Sequence, residues 1–155
     1  MHYELDRLGW HNFEWLCQTW LKAEFGFSVE TWGGYKDQGR DAYSSNDIKN
    51  VSGQLTYAGP VIFQIKFVAQ ANATSSNYKN SLLGACKAEG ETIKKRIRQK
   101  LWEDPKTYVL LTNAPVSAAV KKEIADIFSS ITNAKVVVLS GVDISQGNLQ
   151  KRLKF

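Results

Sequence analysis

The hydrophobic positions of this chain change period along its length, and each change marks an element. From about Leu8 to Phe25 they follow the helical period: Trp10, Phe13, Cys17, Trp20 and Leu21 fall on one stripe, and Gly26 supplies a stop. Short strand-like pieces follow, SVETW (28–32) and DAYSS (41–45), around the glycine-rich turn GGYKDQG (33–39), and the polar stretch 46–59 reads as a loop or hairpin extension. VIFQIKF (61–67) is β-branched and aromatic, the signature of an interior strand. After the polar loop QANATSSN (70–77), a long helix is predicted over 78–102, interrupted near Gly90, with Leu82, Cys86, Ile93, Ile97 and Leu101 on its apolar stripe and Asp104-Pro105 as its stop. TYVLLT (107–112) and AKVVVLS (134–140) read as buried strands. Between them SAAVKKEIADIFSSI (117–131) reads as an amphipathic helix capped by Ser117.

Continuous apolar strands alternating with helices predict an α/β layered domain built on a mostly buried mixed sheet. The 155 residues make one domain (1–155) large enough to bury a core. Its basic, helix-like ending, ISQGNLQKRLKF, suggests one domain of a larger multidomain protein, this being the N-terminal part. At 43% hydrophobic and 23% charged residues the chain reads as soluble and globular. No apolar run approaches the roughly 18 residues of a membrane span, and no signal-peptide pattern opens the chain, so a cytoplasmic location is expected. Cys17 and Cys86 lie within apolar helical patterns without metal-ligand spacing and read as small core residues.

A net charge of +5 favours a polyanionic partner. KKRIRQK (94–100) holds five of the cations, Lys94, Lys95, Arg96, Arg98 and Lys100. Lys36 and Lys79 flank the loops on either side of VIFQIKF.

Two polar positions interrupt the apolar logic. Gln64 and Lys66 share one face of their strand, because side chains alternate with period two. Taken singly, each has a plain explanation, a satisfied core amide and a lysine extending its head past the sheet edge. Together they suggest a site. Asp41 opens a strand after the glycine-rich turn, and pairing of 41–45 with 61–67 would bring it close. An Asp carboxylate, the Gln64 side-chain oxygen and a neighbouring backbone carbonyl, that of Ile65, are hard oxygen ligands that suit Mg²⁺, with Mn²⁺ as substitute. A lysine beside them could orient an attacking water or neutralise a phosphate, which is the machinery of phosphodiester hydrolysis. Asp37 lies in the same turn and reads as loop-shaping or substrate-side. Arg40 reads as an ion-pair or phosphate contact. Glu14 sits inside the first helix's apolar stripe, where a carboxylate is costly unless paired or metal-bound.

GRDA (39–42) followed by a strand bearing QIK (64–66) resembles the Mrr-type branch of the PD-(D/E)xK nuclease superfamily, in its QxK variant. NFEWL with GFSV resembles the family's opening helix, VLLTNAPVSAAVKKEI the strand, turn and helix after the catalytic core, and VVVLSGVDI its last core strand. The resemblance spans nearly the whole chain. It implies a three-layer α/β/α restriction endonuclease-like core with a mixed central sheet, and a Mg²⁺-dependent endonuclease cutting double-stranded DNA in restriction or anti-phage defence. It implies Asp41 as metal carboxylate, Gln64 as second ligand, Lys66 as catalytic lysine, and Glu14 as auxiliary carboxylate, direct or through water. Gln64 is neutral where most of the superfamily has an acid, so metal affinity should fall unless Glu14 compensates. The expected partners are DNA and further copies of the chain, with any NTPase or sensor domain lying outside it. The alternatives are an inactive nucleic-acid-binding module, a nuclease for RNA or branched DNA, or a purely structural α/β interaction domain.

Overall fold

The computed structural model describes residues 5–26, 30–31, 42–49, 55–69, 78–101 and 103–144. Helix α1 (Gly9–Phe25) leads into strands β1 (Glu30–Thr31) and β2 (Ala42–Ser44), the small pair β3 (Ile48–Lys49) and β4 (Leu55–Tyr57), and β5 (Val61–Lys66). Then come helix α2 (Tyr78–Arg98), β6 (Thr107–Thr112), α3 (Ala118–Ser129) and β7 (Lys135–Leu139). One mixed sheet has the order β1-β2-β5-β6-β7, and β3 with β4 forms a separate antiparallel pair.

The antiparallel half pairs Ala42 with Phe63 and Ser44 with Val61, so the two strand segments do meet as a long-looped hairpin. The parallel half runs β5, β6, β7, with Gln64 opposite Leu110 and Leu110 opposite Val138. Both parallel connections step in the same direction, and right-handed crossovers therefore carry α2 and α3 to the same face. The core divides accordingly. On one face Phe13, Cys17, Trp20 and Leu21 of α1 pack on Val61, Phe63, Val109 and Leu111. On the other, Leu82, Cys86 and Ile93 of α2 and Val120, Ile124 and Phe128 of α3 pack on Ile62, Tyr108 and Leu110. The result is an α/β arrangement with helices on both faces of a mixed sheet.

Several expectations shift in detail. Helix α2 ends at Arg98, and the turn beyond it closes with Leu101 N–H donating to Arg96 C=O and Lys100 N–H to Ile97 C=O, with Lys100 at φ 58°. Leu101 therefore leaves the stripe and is 48% exposed. Gly90 does not interrupt the helix. It is buried, and a Cβ there would stand 2.7 Å from Ile131 Cδ1 and 3.7 Å from Ile127 Cγ2, so the missing side chain lets α2 lie close to the end of α3. Trp10 is 64% exposed. Phe13 already meets Phe67, just past the end of β5, so Trp10, one turn earlier, overhangs the strands. Ser117 caps α3 as expected, accepting from Val120 N–H at 3.3 Å. No helix among the described residues is long and apolar enough to cross a membrane. The 70–77 loop and the C-terminal basic stretch from residue 145 lie outside the described residues.

Candidate active site

Strand β5 is flanked by β2 and β6, and its burial runs from closed to open along the chain. Val61 to Phe63 are fully buried, Gln64 is 1% exposed, and Ile65 and Lys66 are half-buried. Alternation puts Ile62, Gln64 and Lys66 on the face covered by α2 and α3. There Lys66 and Gln64 converge on one carboxylate. Lys66 Nζ donates to Glu89 Oε1 at 2.5 Å and Gln64 Nε2 donates to Glu89 Oε2 at 2.9 Å. The Tyr108 hydroxyl, on β6, donates to Gln64 Oε1, and the Tyr108 ring packs on Phe128 with centroids 4.5 Å apart. A carboxylate only accepts, so Glu89 fixes which end of the Gln64 amide faces it, and the oxygen turns to Tyr108. The side chains of Lys66 and Glu89 remain 26% and 21% exposed, which makes this a partly buried pair open at one end of the sheet.

Glu89 is the acidic residue that sequence reasoning missed at this site. Its signal was present: it continues the α2 stripe Leu82, Cys86, Ile93, Ile97 at spacings of three and four, the same anomaly that drew attention to Glu14. One turn before it, burial pushes the Cys86 thiol up to about 11. The Lys66 charge opposes that shift and the Glu89 charge adds to it.

Other expected residues are placed differently. Asp41, Asp37, Arg40 and Lys36 lie outside the described residues. Asp41 is covalently joined to Ala42, whose cross-strand partner Phe63 precedes Gln64. Glu14 is half-buried on α1, near the Lys66 end of the sheet but on its opposite face, so it and Gln64 are separated by the strands. Lys79 pairs with Glu123 of α3 at 3.2 Å, with both side chains nearly half exposed. Arg96 is half-buried, and its Nε is buried with no hydrogen-bond partner among the described residues. Lys94, Lys95, Arg98 and Lys100 are exposed.

The same end of the parallel strands carries two further polar devices. Asn113, just past β6, accepts from Val68 N–H at 2.7 Å and donates to Val68 C=O at 2.8 Å, tying down the chain two residues after Lys66. Asp143, past β7, accepts from Lys121 Nζ at 2.7 Å, Ser140 N–H at 2.9 Å and Ser140 Oγ at 3.0 Å. Burial alone would raise its carboxyl, but these donors hold it below the usual range.

A divalent cation needs hard oxygens. Among the described residues no three His, Cys, Asp or Glu side chains gather to hold one. Glu89 offers a carboxylate at the partly open end, while the Gln64 oxygen is engaged by Tyr108. Glu89 is thus the carboxylate that the described residues bring to this end of β5, and each of its oxygens already accepts a hydrogen bond, from Lys66 and from Gln64. No protein-family model, curated protein or solved structure matches the chain.

Proposed function

We propose that this chain is a divalent-metal-dependent endonuclease of the restriction endonuclease-like fold, acting on duplex DNA. The observation that carries the reading is the convergence of Lys66 and Gln64 on Glu89 at the open end of β5. In this reading helix α2 supplies the carboxylate that the strand lacks at position 64. The role expected for Gln64 changes from ligand to positioning residue: its amide, held between Tyr108 and Glu89, aims the carboxylate. Asp41 and Glu89 would hold Mg²⁺, which when bound supplies charge for a phosphate and an acidified water. Lys66 neutralises charge gathering on the phosphate oxygens, and its tie to Glu89 keeps the ammonium head from wandering. Glu14, on the far face, has no part in this constellation. The order of antiparallel strands, crossover helix and parallel strands supports the fold assignment. The near-complete burial of Gln64 favours a second reading, in which the four side chains are a purely structural network and the domain binds nucleic acid without cutting it.

Plasmid cleavage in Mg²⁺ or Mn²⁺ separates the two. Lys66→Ala, Glu89→Gln and Asp41→Ala should each lower the rate by at least about 100-fold, within the range that one positioned charged group contributes. Circular dichroism should show each variant folded. Full activity in Glu89→Gln would remove Glu89 from the site, and no cleavage by the wild type on plasmid, single-stranded, branched or RNA substrates would favour the inactive module.

A further inference from the structure

Helix α2 connects β5 to β6, so it runs antiparallel to both, and its basic C-terminus lies at the end of the sheet away from Lys66. At 100° per residue, Lys87, Lys94 and Arg98 fall within about 40° of the direction diametrically opposite Glu89. All three are exposed, as is Lys95 beside them. Their pairing also sets them apart. Lys66, Lys79 and Lys121 each have a carboxylate within 4 Å, whereas among the described residues none of Lys87, Lys94, Lys95 and Arg98 does. Lys87 borders a shallow groove with Glu123 and Asp126 yet forms no ion pair with either. Glu91 is the one carboxylate that α2 itself carries on this outward face, with Glu123 and Asp126 of α3 across the groove from Lys87.

We infer that the outward stripe Lys87–Lys94–Arg98 of α2 is a docking surface for the phosphate backbone of duplex DNA, separate from the Lys66–Glu89 site and facing away from it. The stripe spans about 16 Å along the helix axis, more than the roughly 12 Å width of a major groove, so its ends reach phosphates of both strands. Only the identity of the polyanion rests on the nuclease reading. A duplex held on this stripe lies across the helix from Glu89, so the segment gripped and the segment cut are different ones. Lys79, tied to Glu123, takes no part.

The test is fluorescence anisotropy with a labelled duplex of about 30 base pairs in EDTA, between about 50 and 200 mM salt. Neutralising Lys87, Lys94 and Arg98 together to alanine should weaken binding at least about tenfold and reduce the slope of log affinity against log salt by about 2.7, at roughly 0.9 per lost phosphate contact. Glu91→Gln should tighten binding. A control triple of equal charge, Lys22→Ala, Lys49→Ala and Lys122→Ala, should keep the wild-type slope. An unchanged slope in the α2 triple, or an equal loss in the control, overturns the inference. So does binding by the α2 stripe to vesicles of anionic phospholipid in place of DNA. Because no cleavage is read, a chain that binds through this stripe and never cuts would sink the nuclease reading alone. A chain that cuts while the α2 triple binds normally would sink this one alone.

Discussion

The two faces of β5 are built on opposite rules. Toward α1, Val61 and Phe63 meet a dry aromatic layer in which Phe63 lies 6.5 Å from Phe25 and 6.3 Å from Tyr57, ring to ring. Toward α2 the same strand begins with Ile62 and continues with Gln64 and Lys66, and the layer receives them with a carboxylate and a phenol. An apolar face needs only volume, and many residues satisfy it. A polar interior needs every donor matched to an acceptor, and few sets do. A network of that kind adds little net stability over an apolar core of equal size, so its presence on one face calls for another explanation.

That contrast can be broken most strongly on the dry side. Phe63→Ala should cost about 3–5 kcal/mol through lost burial and an unfilled cavity, read as a shift in the urea midpoint at unchanged slope. On the polar side, Glu89→Leu alone should cost about 2–4 kcal/mol, because it strands the Lys66 ammonium and the Gln64 amide. Replacing the whole network at once, with Gln64→Leu, Lys66→Met, Glu89→Leu and Tyr108→Phe, should recover most of that loss while removing any cleavage. If the quadruple variant is no more stable than the single one, the network is holding the fold together.

Two further tests act at the α2 packing. Gly90→Leu should cost about 2 kcal/mol by forcing α2 away from Ile127 and Ile131. Gly90→Ala should be near neutral, the gain in helix propensity offsetting a small shift of Ile131 Cδ1. Cys86 gives the pH signature of the same layer. Its folded thiol is raised to about 11 from an ordinary 9.0, so the stabilising effect of keeping it neutral is complete below pH 9 and is lost as pH rises through about 11. The difference in unfolding free energy between wild type and Cys86→Ala should therefore shrink by on the order of 2 kcal/mol over that window. Lys100→Gly, which relieves a positive φ at the turn after α2, should stabilise by about 0.5–1 kcal/mol in thermal denaturation.

Much of the architecture was legible from periodicity. The apolar run 107–112 is the buried strand its composition predicts and Ser117 caps its helix, whereas 134–140 forms β7 at the end of the strand order and is half-buried or exposed along most of its length. The polar stretch 46–59, read as a loop or hairpin extension, does hold the antiparallel pair β3–β4, but two- and three-residue strands leave no periodic trace from which to place their bounds. Leu101 was assigned to the stripe because its spacing fits, yet a turn with a left-handed lysine ends the helix first, and lysine does not announce that conformation as glycine does. At the candidate site, Gln64 and Lys66 stood out because polar residues in an apolar strand are conspicuous. Glu89 did not, because in AEGETIKKR one carboxylate among many charges looks ordinary until the stripe is counted through it. Gly90 beside it was taken as a break, although its meaning was proximity to another helix. No spacing rule indicates which strand face α1 covers, and that is what separates Glu14 from Gln64.

The Asn113 side chain presents Val68 with a carbonyl and an N–H at the spacing of a neighbouring peptide, so it acts as one extra rung of the ladder beyond Thr112. Asn113 is itself 6% exposed, and the amide proton of Val68 should therefore exchange with solvent at the pace of the strand rather than of a loop. Lys66 then lies inside the slowly exchanging unit instead of at its fraying margin. Replacing Asn113 with alanine would move that margin inward by two residues and leave the lysine on the last protected turn of the chain.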